Sequence, residues 1–281
     1  MEIIIANHAG FCFGVKRALQ LVEKLAAQPG EVATLGGIIH NPQVIEKLRE
    51  AGVRQIESPE EISSGTLVLS CHGVGPEARK AAEESGLEVV DATCPFVARA
   101  QEYVSLLARE GYHVVIFGDR GHREVIGLVG HAGGKAQVLE SPEEAERMPF
   151  ARKLGVVVQT TQEQERYFEL LGKLGEKCGE LRAFNTICEA TVQRQKTAVE
   201  LAREVDLMIV IGGHISANTR RLAEVCAGTG VEVRHIETAG EISPQWLAGK
   251  ERVGITAGAS TAQWLIDEVV AKLKSPGGDS R

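Results

Sequence analysis

Three cysteines hold the same place in a repeated pattern. Cys12, Cys94 and Cys188 each close a short strand-like stretch (IIIANHAGFC, EVVDATC, RAFNTIC) and open an amphipathic one of about four turns (VKRALQLVEKLA, VARAQEYVSLLARE, TVQRQKTAVELAREV). A thiol at a strand-to-helix turn lies among helix N-terminal amides, which favour the thiolate, the form that binds metal. Buried small hydrophobes are the plainer reading of a free cysteine, but the shared position argues for chemistry. Three ligands also differ from the four of a closed structural zinc site, and an open position marks a site for substrate. Zinc on three sulfurs is one option. No CxxC pair exists and the cysteines stand 82 and 94 residues apart, so an iron–sulfur cluster with one iron left free suits the thiolates equally. Cys71, Cys178 and Cys226 have no counterpart in the pattern and are read as packing or incidental thiols, with Cys71 beside His72.

The repeat extends well past the cysteines. Twenty residues on, strands begin at Val32, Val114 and Met208; at offset 24 stand Gly36, Gly118 and Gly212; at offset 28 stand His40, His122 and Ser216. ESPEEI, ESPEEA and ETAGEI follow, and a last strand in each copy ends in LSCHG, VQTTQ or TAGAS. Alternating strands and helices predict an α/β fold with mainly parallel sheets and right-handed crossovers, whose ligands bind beyond the strands' carboxyl ends. The period exceeds that of a solenoid. Three small domains about a pseudo-threefold axis are therefore expected: 1–95, 96–190 and 191–275, with a flexible tail at 276–281. The N-terminal strand within 1–12 is free to join the third sheet.

These expectations describe an ordinary globular chain of 281 residues, 43% hydrophobic, with net charge −7. The length supports a sizeable core, and disorder and collagen-like repetition are excluded. Clustered cations are missing, which argues against nucleic acid as a partner. The apolar runs are too short to span a bilayer and no basic leader precedes Lys16, so no membrane association and a cytoplasmic location are expected. In a reducing compartment six cysteines are thiols, ligands or catalysts rather than a disulfide framework.

The motifs FCFGV around Cys12, HN at Asn41, HG at His72, DATCP around Cys94, GH-x-E at His122, QTT at Thr160, SAN at Ser216 and TAGAS at Ser260 occur in order along almost the whole chain. In this the sequence resembles the 4-hydroxy-3-methylbut-2-enyl diphosphate reductases, the IspH/LytB family. DATCP and TAGAS are the most specific pieces. The resemblance implies an oxidoreductase of isoprenoid biosynthesis, the last enzyme of the methylerythritol phosphate pathway, built as a trefoil around a central [4Fe–4S] cluster. Cys12, Cys94 and Cys188 would hold the cluster, leaving one iron without a protein ligand to take the substrate's hydroxyl; loss of that iron would give [3Fe–4S]. Two electrons and protons would remove the hydroxyl as water and leave isopentenyl or dimethylallyl diphosphate.

Position by position, the resemblance assigns diphosphate binding to His40, His72, His122, Ser216, Ala217, Asn218 and Ser260, and proton delivery to Glu124 with Thr160, His122 serving either task. Imidazole, hydroxyl, amide and backbone N–H groups at strand ends can hold a diphosphate without a P-loop. No flavin or nicotinamide motif is present, so electrons must come from outside, from a ferredoxin or flavodoxin. His8, His113, His131, His214 and His235 have no such support and are read as structural. Two departures from the family pattern stand out: Ala217, where a second serine is frequent and only the backbone N–H remains, and Arg123, where proline is frequent. The rival readings are another three-cysteine iron–sulfur enzyme, such as a quinolinate-synthase-like one, and a non-catalytic iron–sulfur sensor or zinc module.

Overall fold

Strands that are apolar at every position form where both sheet faces are covered, and LMIVI and TLVL are buried along their whole length. The computed structural model describes residues 1–275; the tail expected at 276–281 lies outside the described residues. In chain order the elements are β1 (Glu2–Ile5), α1 (Phe13–Ala26), β2 (Val32–Leu35), α2 (Pro42–Glu50), β3 (Val53–Ile56), β4 (Thr66–Leu69), α3 (Pro76–Glu84) and β5 (Glu88–Asp91). Then come α4 (Pro95–Arg109), β6 (His113–Phe117), α5 (Arg123–His131), β7 (Gln137–Leu139), β8 (Ala151–Val158), α6 (Gln164–Gly175) and β9 (Cys178–Phe184). The chain continues with α7 (Glu189–Ala202), β10 (Leu207–Ile211), α8 (Ala217–Ala227), β11 (Glu232–Ile236), β12 (Arg252–Ala257) and α9 (Gln263–Lys274). None of the described helices is long and apolar enough to cross a membrane.

The strands form three parallel four-stranded sheets, ordered β3-β2-β4-β5, β7-β6-β8-β9 and β11-β10-β12-β1. The order is the same in all three, except that β1 takes in the third sheet the place that β5 and β9 take in theirs. It pairs with β12 in the register Ile3 to Val253 and Ile4 to Gly254.

Contacts divide the chain into two compact units. The larger, Gly14–Ile39 with Ile45–Cys188, holds the first two sheets. In its second sheet, alternation sends Val114 and Ile116 to a face covered by Ala100, Val104 and Leu107 of α4, and Val115 and Phe117 to a face covered by Tyr167, Leu170 and Leu174 of α6. The smaller unit joins Met1–Phe13, His40–Val44 and the chain from Glu189 onward. Its core sets Ala198 and Leu201 of α7 and Leu222 and Cys226 of α8 against Met208 and Val210.

Two hydrogen bonds recur in each sheet and show why the offsets are fixed. The N–H of Cys12 donates to the carbonyl of Ala259 (3.0 Å), that of Cys94 to Cys71 (3.1 Å) and that of Cys188 to Thr160 (3.0 Å). Each cysteine is thereby tied to the loop beyond the neighbouring strand. Likewise Gly36, Gly118 and Gly212 donate to Ile56, Leu139 and Ile236 at 2.7, 2.9 and 2.9 Å. The repeat is thus a set of equivalent backbone bonds at the strands' carboxyl ends, where α/β sheets place their ligands.

Candidate active site

In the larger unit, α5 begins at a turn that sets three candidate residues in order. His122 is its N-cap, and its Nδ1 accepts from the N–H of Glu124 (3.2 Å). That bond assigns the ring proton to Nε2, leaving His122 an N–H donor. Glu124 is 2% exposed. Its carboxylate accepts from the Thr160 N–H at Oε1 and from the Thr160 hydroxyl at Oε2, both at 2.7 Å.

The loop bearing Thr160 is held by Gln159, which accepts from the Asp119 N–H (2.8 Å) and donates to Thr161 Oγ1 (3.0 Å). A side chain at Gly118 would meet Gln159 Oε1 at 2.7 Å, so a glycine is required there. Burial pushes the Glu124 carboxyl up to about 7 against the lowering pull of the two Thr160 bonds, with the charge of Asp119 adding to the rise. A carboxyl poised near neutrality can give up and regain a proton at working pH.

His72 arrives by close backbone packing. The loop Gly73–Gly75 lies on α5 at Gly127 and Gly130, where a Cβ on Gly130 would stand 3.1 Å from Gly75 Cα. This sets the rings of His72 and His122 edge-to-face, 5.6 Å between centroids. Arg123, the first residue of α5, lays its guanidinium over the bare Cα of Gly36, where any Cβ would overlap Nη1, and pairs with Glu57 at 2.9 Å. Arg123 thus ties the head of α5 in the second sheet's layer to the loop after β3 of the first sheet. The pair is largely exposed, so Arg123→Met should cost less than about 1 kcal/mol of stability. It should also make the thermal midpoint less salt-sensitive in calorimetry at rising ionic strength.

Cys94 and Cys188 belong to the same unit. Cys94 is the N-cap residue of α4 with Pro95 at the first helical position. A Cβ on Gly14 would come within 2.6 Å of Cys94 Sγ, so the sulfur rests against bare backbone.

The smaller unit gathers the other candidates. Ser216 caps α8, its hydroxyl accepting from the Thr219 N–H (3.3 Å), and Ala217 and Asn218 form the first turn. Asn218 Oδ1 accepts from the Ala259 N–H (3.0 Å), which fixes the TAGAS loop and leaves its amide NH2 as donor. Ser260 donates to the His40 carbonyl at 3.1 Å. Gly213 leaves room for that carbonyl, 2.7 Å from where its Cβ would stand. Cys12 joins this group through its bond to Ala259. His40, Ser216, Ala217, Asn218, Ser260 and Cys12 therefore sit on loops or in the first helical turn of one unit, and His72, His122, Glu124, Thr160, Cys94 and Cys188 on loops or in the first helical turn of the other.

All six cysteines are thiols, but they differ in setting. The three repeat cysteines are partly exposed, whereas Cys71 and Cys226 are buried and the Cys178 thiol donates to the Leu174 carbonyl (3.4 Å). Burial pushes the Cys226 thiol up to about 12, far from thiolate. Sequence reasoning passed over Gly14 and Gln159, whose roles rest on contacts distant in sequence.

The chain is similar to known proteins over nearly its whole length. A family model described as LytB protein matches residues 3–274. Proteins named 4-hydroxy-3-methylbut-2-enyl diphosphate reductase from Geobacter sulfurreducens and Pelobacter propionicus are 52% and 50% identical, covering 98% and 97% of this chain and 97% and 98% of their own. The structure of the E-1-hydroxy-2-methyl-but-2-enyl-4-diphosphate reductase from Plasmodium falciparum is similar with a TM-score of 0.93 at 29% identity, over 98% of this chain and 88% of that one. A structure of (E)-4-hydroxy-3-methyl-but-2-enyl diphosphate reductase, the terminal enzyme of the non-mevalonate pathway, has a TM-score of 0.70 at 45% identity, over 98% and 99%.

Proposed function

The chain belongs to the LytB family, and from that premise we propose that it reduces 4-hydroxy-3-methylbut-2-enyl diphosphate to isopentenyl and dimethylallyl diphosphate. One observation carries the reading most: a fully buried carboxyl with a pKa near 7, held at both oxygens by Thr160. An acid of this kind is what loss of an allylic hydroxyl as water requires, because hydroxide leaves poorly until it is protonated.

Cys12, Cys94 and Cys188 are the residues we assign to the family's iron–sulfur cluster, a [4Fe–4S] form with one iron not held by protein. The donor set fits. These are the three thiols at equivalent, partly exposed strand-to-helix turns, and Gly14 clears the space around one of the sulfurs. When bound, such a cluster supplies two electrons, one at a time, and a Lewis acid for the leaving oxygen.

The chain's own residues do the rest. His40, His72, His122, Ser216, Asn218 and Ser260, with the N–H of Ala217, offer donors to the diphosphate. Because the diphosphate is remote from the reacting bond, their contacts orient the allylic end. Glu124 gives its proton to the departing hydroxyl, and Thr160 holds the carboxyl in place and returns a hydrogen bond to the charged form. The balance is two electrons and two protons consumed, one C–O bond broken, one C–H bond formed and one water released. A ferredoxin or flavodoxin is the electron donor we propose, three domains at 1–95, 96–190 and 191–275 the working division of the chain, and the cytoplasm its location.

The test is anaerobic. Cluster-reconstituted protein with a reduced viologen dye should oxidise the dye only when 4-hydroxy-3-methylbut-2-enyl diphosphate is added. No oxidation with an intact cluster would overturn the reading.

A further inference from the structure

The three repeats solve one local problem in two ways. At offset 28 the second and third repeats place His122 and Ser216, and each side chain caps the helix it precedes. In the first repeat the residue at that offset is His40, yet the cap is the next residue: Asn41 Oδ1 accepts from the Val44 N–H at 3.0 Å, and Pro42 opens α2. The capping duty has moved by one position.

A histidine or serine cap of this kind spends its acceptor and keeps at most one polar hydrogen. An asparagine keeps two, on Nδ2. The bond to Val44 fixes the amide so that nitrogen cannot exchange places with oxygen. Asn41 is 0% exposed, and its Nδ2 has no hydrogen-bond partner among the described residues. A buried amide donor left without an acceptor is costly, and native structures rarely keep one for no reason.

Its surroundings say what the acceptor would be. Asn41 directly follows His40, whose carbonyl takes the Ser260 hydroxyl, in the unit that also holds Ser216 and Asn218. It stands at the positive end of α2, where backbone and dipole favour an anion. Two other buried groups with no partner among the described residues lack this setting: Thr256 Oγ1 lies on strand β12 inside its sheet, and Tyr167 Oη lies on α6 in the hydrophobic core.

We infer that Asn41 is a further diphosphate-positioning residue, using one oxygen to hold α2 and its NH2 group to donate to a diphosphate oxygen of the substrate. This rests on the diphosphate reading given above.

Asn41→Ser separates the two duties, because serine is as good a cap as asparagine but has no amide. Isothermal titration with inorganic pyrophosphate, on reconstituted holoenzyme, should show binding weakened roughly tenfold to a hundredfold, as for a lost hydrogen bond to a charged group. The thermal midpoint without ligand should barely move. KM for the substrate should rise with kcat largely kept, a split that damage to the loop alone would not produce. Asn41→Asp, equal in shape and cap strength, guards against poor folding of the serine variant and should bind pyrophosphate more weakly still, since a carboxylate repels it. Wild-type affinity in both variants would overturn the inference while leaving the diphosphate reading intact. Failure of the unaltered enzyme to bind pyrophosphate would instead overturn that reading, and this inference with it.

Discussion

Glu124→Gln should bind substrate and lose turnover by about two to four orders of magnitude, the range expected when a positioned acid is removed. Glutamine is a close replacement: its Oε1 can still accept from the Thr160 N–H, and its NH2 can donate to the Thr160 hydroxyl, which then acts as acceptor. The fold and the site's shape should therefore survive, and only the transferable proton is lost. A pH series checks the cause. In the unaltered enzyme the acid form of Glu124 declines as pH rises through about 7, so the rate of the chemical step should fall across that point.

Stability moves with pH for the same reason. The folded chain keeps the Glu124 proton up to a pKa of about 7, against 4.5 as the ordinary value. Between those values it binds more protons than the unfolded chain, so rising pH drains stability, by about 3 kcal/mol once above pH 7. Glutamine has no proton to lose. Ligand-free Glu124→Gln should thus melt above the unaltered protein at pH 8, with the gap closing towards pH 4.5. Near-normal turnover of this variant would remove Glu124 from the mechanism.

Cys94→Ser should yield protein that folds but retains no stable cluster, with iron and sulfide near zero and no substrate-dependent dye oxidation. Serine keeps the shape and the backbone bond to Cys71 but offers a hard, poorly ionised oxygen where soft thiolate is needed. Gly14→Ala approaches the same sulfur from the other side. Its methyl group would stand 2.6 Å from Cys94 Sγ, far inside van der Waals contact, so the sulfur must shift although the thiol remains. The expected result is reduced iron content in a chain with all three cysteines present. Full iron loading in both variants would remove Cys94 from the ligand set.

Much of this architecture is legible in the sequence because the chain states it three times. The shared offsets at Gly36, Gly118 and Gly212 reflect one backbone bond made in each sheet, and periodicity alone reveals the helices that follow the cysteines. What the sequence does not show is anything that depends on two distant segments meeting. The strand order within a sheet is one example. The seat that Gly14 makes for Cys94 is another, since nothing near residue 14 announces a sulfur eighty positions away. The move of the cap from offset 28 to Asn41 is a third: HN reads as part of a motif, and only the bond to Val44 separates the two residues' tasks.

The placement of β1 has a consequence for how the protein is made. Its partner in the sheet is β12, about 250 residues later (Ile3 beside Val253). The other two sheets close on strands of their own neighbourhood and can form while the ribosome is still at work. The third cannot, because a nascent chain lacks the strand that β1 needs and must then close a very long loop, which is slow. Cys12, tied to Ala259, reaches its final position only after synthesis is nearly complete. On the ligand assignment proposed above, the set of three cysteines would therefore be complete only once β1 has docked, after translation rather than during it.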